Sequence, residues 1–215
     1  MKLHSVELAP VEPGLSRTLV LLHGYGADEN DLLPIAHELD PRLRAVSLQG
    51  PLSLGGPMRA WFNLVQDPRG ISFDPEEARE GLRAATEAVE EIARKSPRPF
   101  LLGFSQGAAM ALGVLLSRPD LPAGVISLSG VPPVLEPRDL APAEKLTASR
   151  LPVFAAHGTQ DSLLPIHLGR TVRDELLKLG LDLTWREYQM GHQVVPHELA
   201  DAAEWLKLQI NHGAH

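Results

Sequence analysis

The sequence contains no cysteine, and aromatic residues make up only 5% of its 215 residues. The absence of cysteine excludes disulfide bonds, thiolate catalysis and cysteine-based metal sites, and it is compatible with a cytoplasmic protein. No stretch approaches the roughly 20 apolar residues that cross a membrane. The opening residues MKLHSVELAP are too polar for a signal peptide. We expect a soluble, cytoplasmic protein that does not insert stably into membranes.

The charge balance is acidic, and no block of basic residues is present. The formal net charge is −7 at pH 7, which argues against nucleic acid as a partner. Hydrophobic residues account for 44% and charged residues for 22% of the chain, as is typical of globular proteins. The length predicts one domain over residues 1–215 with a sizeable core.

Short apolar runs, each closed by a turn of small residues, recur along the chain. Near-continuous apolar runs are typical of parallel strands that are covered on both faces. These runs occupy residues 17–24, 43–50, 98–105, 123–130 and 151–158. Residues 181–188 alternate with polar positions and predict a further strand near the edge of the sheet.

Amphipathic segments lie between the predicted strands. The clearest predicts a helix over 74–96, with Asp74 as its N-cap. Residues 106–117 are apolar on nearly all sides and predict a central helix against the sheet. Further helices are predicted over about 166–179 and from about Pro196. The alternation predicts an α/β fold, a three-layer sandwich around a mostly parallel central sheet.

Residues 51–73 show no clear periodicity, and a loop this long inside a domain is usually functional or mobile. The segment contains two adjacent aromatic residues, Trp61 and Phe62. Aromatic side chains are more often core residues than ligand contacts, so both roles stay open for this pair.

Three chemically active side chains follow three of the predicted strands. Ser105 in GFSQG follows the run at 98–104, Asp161 follows the run at 151–156, and His192 follows the strand at 181–188. A serine nucleophile needs a histidine to accept its proton and a carboxylate to orient that histidine. The order Ser, Asp, His is that of α/β-hydrolases, and glycines flank their nucleophile.

Simpler interpretations of the same residues remain open at this point. Ser105 could be a small residue in a tight turn, and Asp161 could cap a turn. His157 is the main alternative to His192 as the base, although it could instead bond within the turn that carries Asp161. The polar residues Asp28, Glu29, Asn30 and Asp31 could suggest a cation site, but they are consecutive, unlike a calcium loop, and favour a helix N-terminus rich in acids.

Four blocks of sequence, LLHGYGAD, GFSQGAAMAL, HGTQDSLLPI and MGHQV, together resemble the phospholipase/carboxylesterase family of α/β-hydrolases. This family includes acyl-protein thioesterases and small bacterial carboxylesterases. The resemblance implies that Ser105 is the nucleophile, Asp161 the orienting acid and His192 the general base. It also implies an oxyanion hole formed by the backbone N–H groups of Tyr25 and Gln106, where family members commonly carry leucine in place of Tyr25.

The resemblance further implies that residues 51–73, with Trp61 and Phe62, cover the substrate. It implies hydrolysis of carboxylic esters, acyl thioesters or lysophospholipids through an acyl-enzyme, without a metal or organic cofactor. The family includes dimers, which leaves a homodimer open. The alternative function is a non-catalytic α/β-hydrolase-fold protein that binds a small acyl ligand or a partner. A serine peptidase is less favoured, because no extra domain selects peptides.

Overall fold

A seven-stranded β-sheet lies at the centre of the computed structural model, which describes residues 2–13, 15, 17–67 and 70–212. In chain order the strands are β1 (Ser5–Leu8), β2 (Thr18–Leu22), β3 (Arg44–Leu48), β4 (Leu52–Gly55), β5 (Met58–Ala60), β6 (Val65–Asp67), β7 (Gly70–Ser72), β8 (Phe100–Phe104), β9 (Gly124–Leu128), β10 (Pro152–Gly158) and β11 (Asp182–Tyr188). The helices are α1 (Leu33–Leu39), α2 (Pro75–Ala93), α3 (Gln106–Ser117), α4 (Ala143–Ser149), α5 (Ile166–Lys178) and α6 (Pro196–His212).

The order of strands across the central sheet places β8 in its middle. That order is β1-β3-β2-β8-β9-β10-β11. β1 pairs with β3 in the antiparallel sense, and every other neighbouring pair of this sheet is parallel. Parallel strands bring their carboxyl ends to one edge of a sheet, which is where ligands bind in such folds. The residue that follows β8 therefore lies between the ends of β2 and β9.

Helices cover both faces of the central sheet. Successive side chains of a strand point to opposite faces, so Leu19 and Leu21 of β2 belong to one buried cluster while Val20 and Leu22 belong to the other. Side chains of α1 and α6 complete the first cluster, and side chains of α2, α3, α4 and α5 complete the second. The three-layer sandwich with a mostly parallel sheet, predicted from the sequence, is confirmed.

The predicted strands and helices are present close to their expected places. The six predicted strands correspond to β2, β3, β8, β9, β10 and β11, and the four predicted helices correspond to α2, α3, α5 and α6. The carboxylate of Asp74 accepts the backbone N–H of Glu76 at 2.9 Å and so caps α2 as predicted. The sequence pattern does not predict β1, α1 or α4, because a four-residue strand and seven-residue helices are too short for a clear apolar period.

Residues 51–73, predicted as one long loop, instead form two antiparallel hairpins, β4–β5 and β6–β7. Gly55 and Gly56 connect β4 to β5 with φ angles of 107° and 56°, which glycine adopts without steric cost. Pro68 and Arg69, between β6 and β7, lie outside the described residues. Strands of three or four residues give too few alternating positions to be recognised in the sequence. Among the described helices, none is both long and apolar enough to cross a bilayer.

The first turn of α6 contains a fully buried carboxyl group. Glu198 has 0% exposure, and within the described residues neither of its oxygens forms a hydrogen bond of normal geometry. Burial raises the pKa of Glu198 from 4.5 to about 8, although the backbone N–H of Val195 lowers it somewhat. The folded state therefore favours the protonated side chain. The free energy that protonation of Glu198 contributes to folding is fully present below pH 4.5 and is lost as the pH rises through about 8.

We expect Glu198→Gln to be more stable than the wild type at about pH 9 and similar to it below about pH 5. The glutamine stays neutral, so the variant avoids the cost of burying an ionised group, which exceeds the roughly 1–3 kcal/mol of an unsatisfied neutral group. Urea unfolding followed by circular dichroism at both pH values measures this difference. Glu204→Gln, at an exposed position of the same helix, is the matched control. A difference between Glu198→Gln and the wild type that does not change with pH would contradict the expectation.

Candidate active site

Ser105 lies on a sharp turn between β8 and α3, at the carboxyl edge of the sheet. Its φ of 55° and ψ of −116° are uncommon for a residue with a side chain. The backbone N–H of Ser105 donates to the carbonyl oxygen of Leu128 at 2.9 Å, which ties the turn to the end of β9. Residues in such strained conformations persist where their surroundings hold them, and they cluster at active sites.

The two glycines that flank Ser105 lie where no side chain fits. A Cβ atom on Gly103 would lie 2.2 Å from the carbonyl oxygen of Gly107. A Cβ atom on Gly107 would lie 2.0 Å from the carbonyl oxygen of Leu22 and 2.6 Å from that of His23. The G-x-S-x-G pattern is thus explained by close contact between β8, the start of α3 and the end of β2.

His192 connects Ser105 to Asp161. Its Nε2 atom lies 2.9 Å from Oγ of Ser105, and its Nδ1 atom lies 2.7 Å from Oδ2 of Asp161. An ionised carboxylate can only accept a hydrogen bond, so the ring proton lies on Nδ1. Nε2 is then free to accept the hydroxyl proton of Ser105. The structure therefore brings together the three residues predicted as a catalytic triad.

Asp161 is oriented by its own turn. Its Oδ1 atom accepts the backbone N–H groups of Leu163 at 3.0 Å and Leu164 at 2.8 Å. These bonds leave Oδ2 directed at His192, and the side chain of Asp161 is fully buried. The simpler interpretation of Asp161 as a turn residue is therefore compatible with the triad, because Oδ1 bonds to the turn and Oδ2 bonds to His192.

His157 lies beside Asp161 but does not reach Ser105 by a hydrogen bond. Its Nε2 atom lies 2.7 Å from the carbonyl oxygen of Leu164 and 3.7 Å from Oδ2 of Asp161. The imidazole N–H therefore donates to the turn that orients the carboxylate. Of the two candidate bases, only His192 bonds to Ser105, and the expected structural role of His157 agrees with its contacts.

The two predicted oxyanion residues lie on the segments adjacent to Ser105. Gln106 is the first residue of α3, and the first four N–H groups of a helix have no partner within it. Tyr25 lies in the turn after β2, two residues beyond His23, whose carbonyl oxygen faces Gly107. Tyr25 is 39% exposed, so its side chain is not part of the core.

The two aromatic residues predicted to contact substrate lie in the core instead. Trp61 is 0% exposed and Phe62 is 4% exposed, and both belong to the buried cluster on the α2–α3 face. The carbonyl oxygen of Trp61 lies against Gly81 of α2, and the ring of Phe62 packs on Phe73 at 5.2 Å. Both side chains are therefore enclosed by other residues of the protein, and a contact of either ring with substrate stays a prediction.

The side chain of Gln106 and the backbone of Gly50 are structural parts of the site that the sequence patterns did not identify. Gln106 hydrogen-bonds to Trp61 and Phe62 through its amide. Gly50 donates its N–H to Nε2 of His23 at 2.9 Å. The one available signal was the glycine at the end of the run at 43–50, which marks a close approach of backbone.

The acidic residues Asp28, Glu29 and Asp31 precede α1 rather than begin it. The helix begins at Leu33, with no acidic residue in its first turn, so the predicted acidic N-terminus is wrong. Asp28 accepts the N–H of Asn30 within a turn, and Glu29 accepts the side-chain N–H of Gln49 at 2.7 Å. Within the residues that the structure describes, no three histidine or carboxylate side chains are arranged to hold a metal ion.

The fold and the site together define an α/β-hydrolase. A serine, an aspartate and a histidine follow β8, β10 and β11 of a parallel sheet, and the serine lies on a sharp turn between glycines. The model of the phospholipase/carboxylesterase family matches residues 11–210. The chain belongs to this family. The fold, the family and the class of enzyme predicted from the sequence, a hydrolase of carboxylic esters or thioesters, are confirmed.

Individual relatives agree with this assignment. The chain is 30% identical to acyl-protein thioesterase 1 of Mycosarcoma maydis over 90% of this chain and 91% of that protein. It is 26% identical to acyl-protein thioesterase 1 of Saccharomyces cerevisiae over 94% and 96% of the two chains. The crystal structure of the Bacillus cereus carboxylesterase has the same fold, with a TM-score of 0.81, 24% identity and coverage of 96% of this chain and 94% of that chain.

We expect Gly107→Ala to lower the free energy of unfolding by about 3 kcal/mol, the upper range for overpacking. The new methyl group would meet backbone atoms of β2, which cannot move independently of the sheet. Gly113→Ala in the same helix is the control, because the three atoms nearest to its methyl group would belong to the side chain of Leu82 rather than to backbone. We expect that variant to lie within about 1 kcal/mol of the wild type, helped by the better helix propensity of alanine. Urea unfolding measures both, and equal effects would contradict the expectation.

Proposed function

We propose that this protein is a serine hydrolase that cleaves carboxylic esters or acyl thioesters through an acyl-enzyme on Ser105. The observation that supports it is the continuous hydrogen-bonded series from Oγ of Ser105 through His192 to Asp161, with distances of 2.9 and 2.7 Å. A serine hydroxyl is a weak nucleophile until an adjacent base accepts its proton, and these distances lie within the range that proton transfer requires.

In the proposed acylation step, Oγ of Ser105 attacks the carbonyl carbon of the substrate while Nε2 of His192 accepts the hydroxyl proton. Asp161 stabilises the imidazolium that forms, through the N–H on Nδ1. The carbonyl oxygen becomes an oxyanion, and its collapse expels the alcohol or thiol, which takes the proton from His192. In deacylation, water attacks the acyl group, His192 accepts a proton from it, and Ser105 regains its hydrogen as the acid leaves.

We propose that the backbone N–H groups of Tyr25 and Gln106 stabilise the oxyanion. Within the described residues, the N–H of Tyr25 has no acceptor in the protein, and that of Gln106 is an unpaired first-turn donor of α3. Fixed donors of this kind act where charge develops, and the loss of one typically costs about 10²–10³ in kcat.

The substrate class that we favour carries an apolar acyl chain. The hairpins of residues 51–73 expose large apolar side chains, namely Met58, Val65, Ile71 and Phe73. Where such side chains form a contiguous patch, they mark a ligand groove or an interaction surface. The two relatives are named for hydrolysis of acyl-protein thioesters. We propose that these hairpins cover the acyl chain within a single α/β-hydrolase domain, although the surface fits esters, thioesters and lysophospholipids alike.

A fluorophosphonate probe tests the assignment, because it reacts only with an activated serine. We expect intact mass and peptide mapping to show one adduct, on Ser105. Ser105→Ala should abolish the adduct, and His192→Ala should slow labelling by at least about 10³-fold, as in other triads. His197→Ala, which removes an exposed histidine of α6, should label at the rate of the wild type.

The same experiment decides against the proposal if the folded wild type gives no adduct. The non-catalytic alternative, a protein that binds a small acyl ligand, would then be favoured. An adduct on another serine, or labelling of His192→Ala at the rate of the wild type, would show that the residue roles are wrong. Hydrolysis of p-nitrophenyl esters of increasing chain length would then measure the preference for the acyl group.

A further inference from the structure

The side chain of Gln106 bonds to the backbone of two consecutive residues after β5, Trp61 and Phe62. Its Oε1 atom accepts the backbone N–H of Trp61 at 2.8 Å, and its Nε2 atom donates to the carbonyl oxygen of Phe62 at 2.8 Å. Gln106 is 4% exposed, so water cannot replace these bonds. Because one partner is a donor and the other an acceptor, the orientation of the amide is fixed. The residue next to the nucleophile therefore also holds residues 61–62 in place.

Trp61 carries this connection to the loop that contains Tyr25. Its indole N–H donates to the carbonyl oxygen of His23 at 3.0 Å, and the two rings lie 5.6 Å apart. The indole is fully buried, so its only polar atom needs this partner. His23 is the first residue after β2, at the base of the turn formed by residues 24–27.

His23 in turn connects that turn to the segment before β4. Its Nδ1–H donates to the carbonyl oxygen of Gly24 at 2.7 Å, and its Nε2 accepts the N–H of Gly50 at 2.9 Å. The second bond requires an unprotonated Nε2, and burial lowers the pKa of His23, which keeps the ring neutral. A Cβ atom on Gly50 would lie 2.6 Å from the carbonyl oxygen of Ala60, so these segments are in direct contact.

The backbone of the turn itself pairs with β5. The N–H of Gly26 donates to the carbonyl oxygen of Arg59 at 2.9 Å, and the N–H of Arg59 donates to that of Ala27 at 2.8 Å. Tyr25 therefore lies between residues that are bonded on both sides, while its own N–H has no acceptor within the described part of the chain. Its position depends on β5 and on Trp61 directly after it.

We propose that the side chains of Gln106, Trp61 and His23 are positioning residues that set the two backbone donors of Tyr25 and Gln106 at the distance that an oxyanion needs. This inference rests on the proposed function. One residue, Gln106, would provide one donor from its backbone and hold the other through its side chain. A displacement of about 1 Å at a reacting group can cost about 10²-fold in rate, so loss of one of these bonds should reduce catalysis without removing any group that touches the substrate.

Gln106→Met tests the side chain separately from the backbone donor, because methionine has a similar length and keeps the N–H. Trp61→Phe removes the indole N–H and keeps an aromatic ring. We expect both variants to lose about 10- to 100-fold in the rate of fluorophosphonate labelling and in kcat for p-nitrophenyl esters, with KM changed by less than about threefold. A purely structural role would instead lower the melting temperature and leave these rates unchanged.

Trp205→Phe is the matched control, since Trp205 is also buried but packs against Phe100 and Phe154 on the opposite face of the sheet. It should lower stability without changing the labelling rate. Hydrogen exchange followed by mass spectrometry gives a second measurement that needs no activity. We expect faster exchange of backbone amides in residues 20–31 in Gln106→Met and Trp61→Phe and not in Trp205→Phe.

Each outcome has a distinct meaning. Slower labelling together with faster exchange in both variants, but not in the control, supports the inference. Labelling within about twofold of the wild type overturns it, even if exchange increases, because the donors would then not depend on the network. Slow labelling with unchanged exchange also overturns it. A folded wild type that is not labelled overturns the proposed function, and this inference with it.

Discussion

The contact between backbone atoms at the nucleophile turn is the constraint on which the rest of the site depends. Gly107 lies against the carbonyl oxygens of Leu22 and His23, so close that a Cβ atom would overlap both. This contact places the start of α3 directly on the end of β2. The residue after Ser105 and the loop after β2 are therefore assembled as a unit. Because packed interiors deform little, a side chain at this position would displace Ser105 and the loop after β2 together.

The sheet sets the distances between reacting groups, and local bonds set their orientations. Ser105 and His192 are 87 positions apart in sequence, and His192 and Asp161 are 31 apart, so only the parallel ends of β8, β10 and β11 bring them together. Asp161 is then oriented by backbone N–H groups of its own turn, with His157 holding that turn. Such loops on a rigid sheet can carry function because the sheet does not depend on them.

The proximity of Ser105, Asp161 and His192 was predictable because each follows a predicted strand, an apolar run for the first two and an alternating segment for His192. The ends of strands can be predicted from the sequence, and in a parallel sheet the carboxyl ends of the strands lie along one edge, close to each other. The position of Trp61 was not predictable, because its partners His23 and Gln106 lie 38 and 45 positions away and a single side-chain hydrogen bond leaves no periodic pattern. The buried carboxyl of Glu198 gave no signal either, since glutamate in the first turn of a helix is ordinary.

The two hairpins of residues 51–73 differ in their connection to the site. β4–β5 bonds to the oxyanion loop through Arg59, and Trp61 follows it directly. Opening of the β4–β5 hairpin would break the backbone hydrogen bonds between Arg59 and the turn that contains Tyr25. β6–β7 is anchored at its base, where Asn63 bonds to Glu77 and Phe73 packs on Phe62. The first hairpin therefore belongs to the scaffold of the proposed oxyanion hole, whereas the described contacts at the base of the second are with α2 and Phe62.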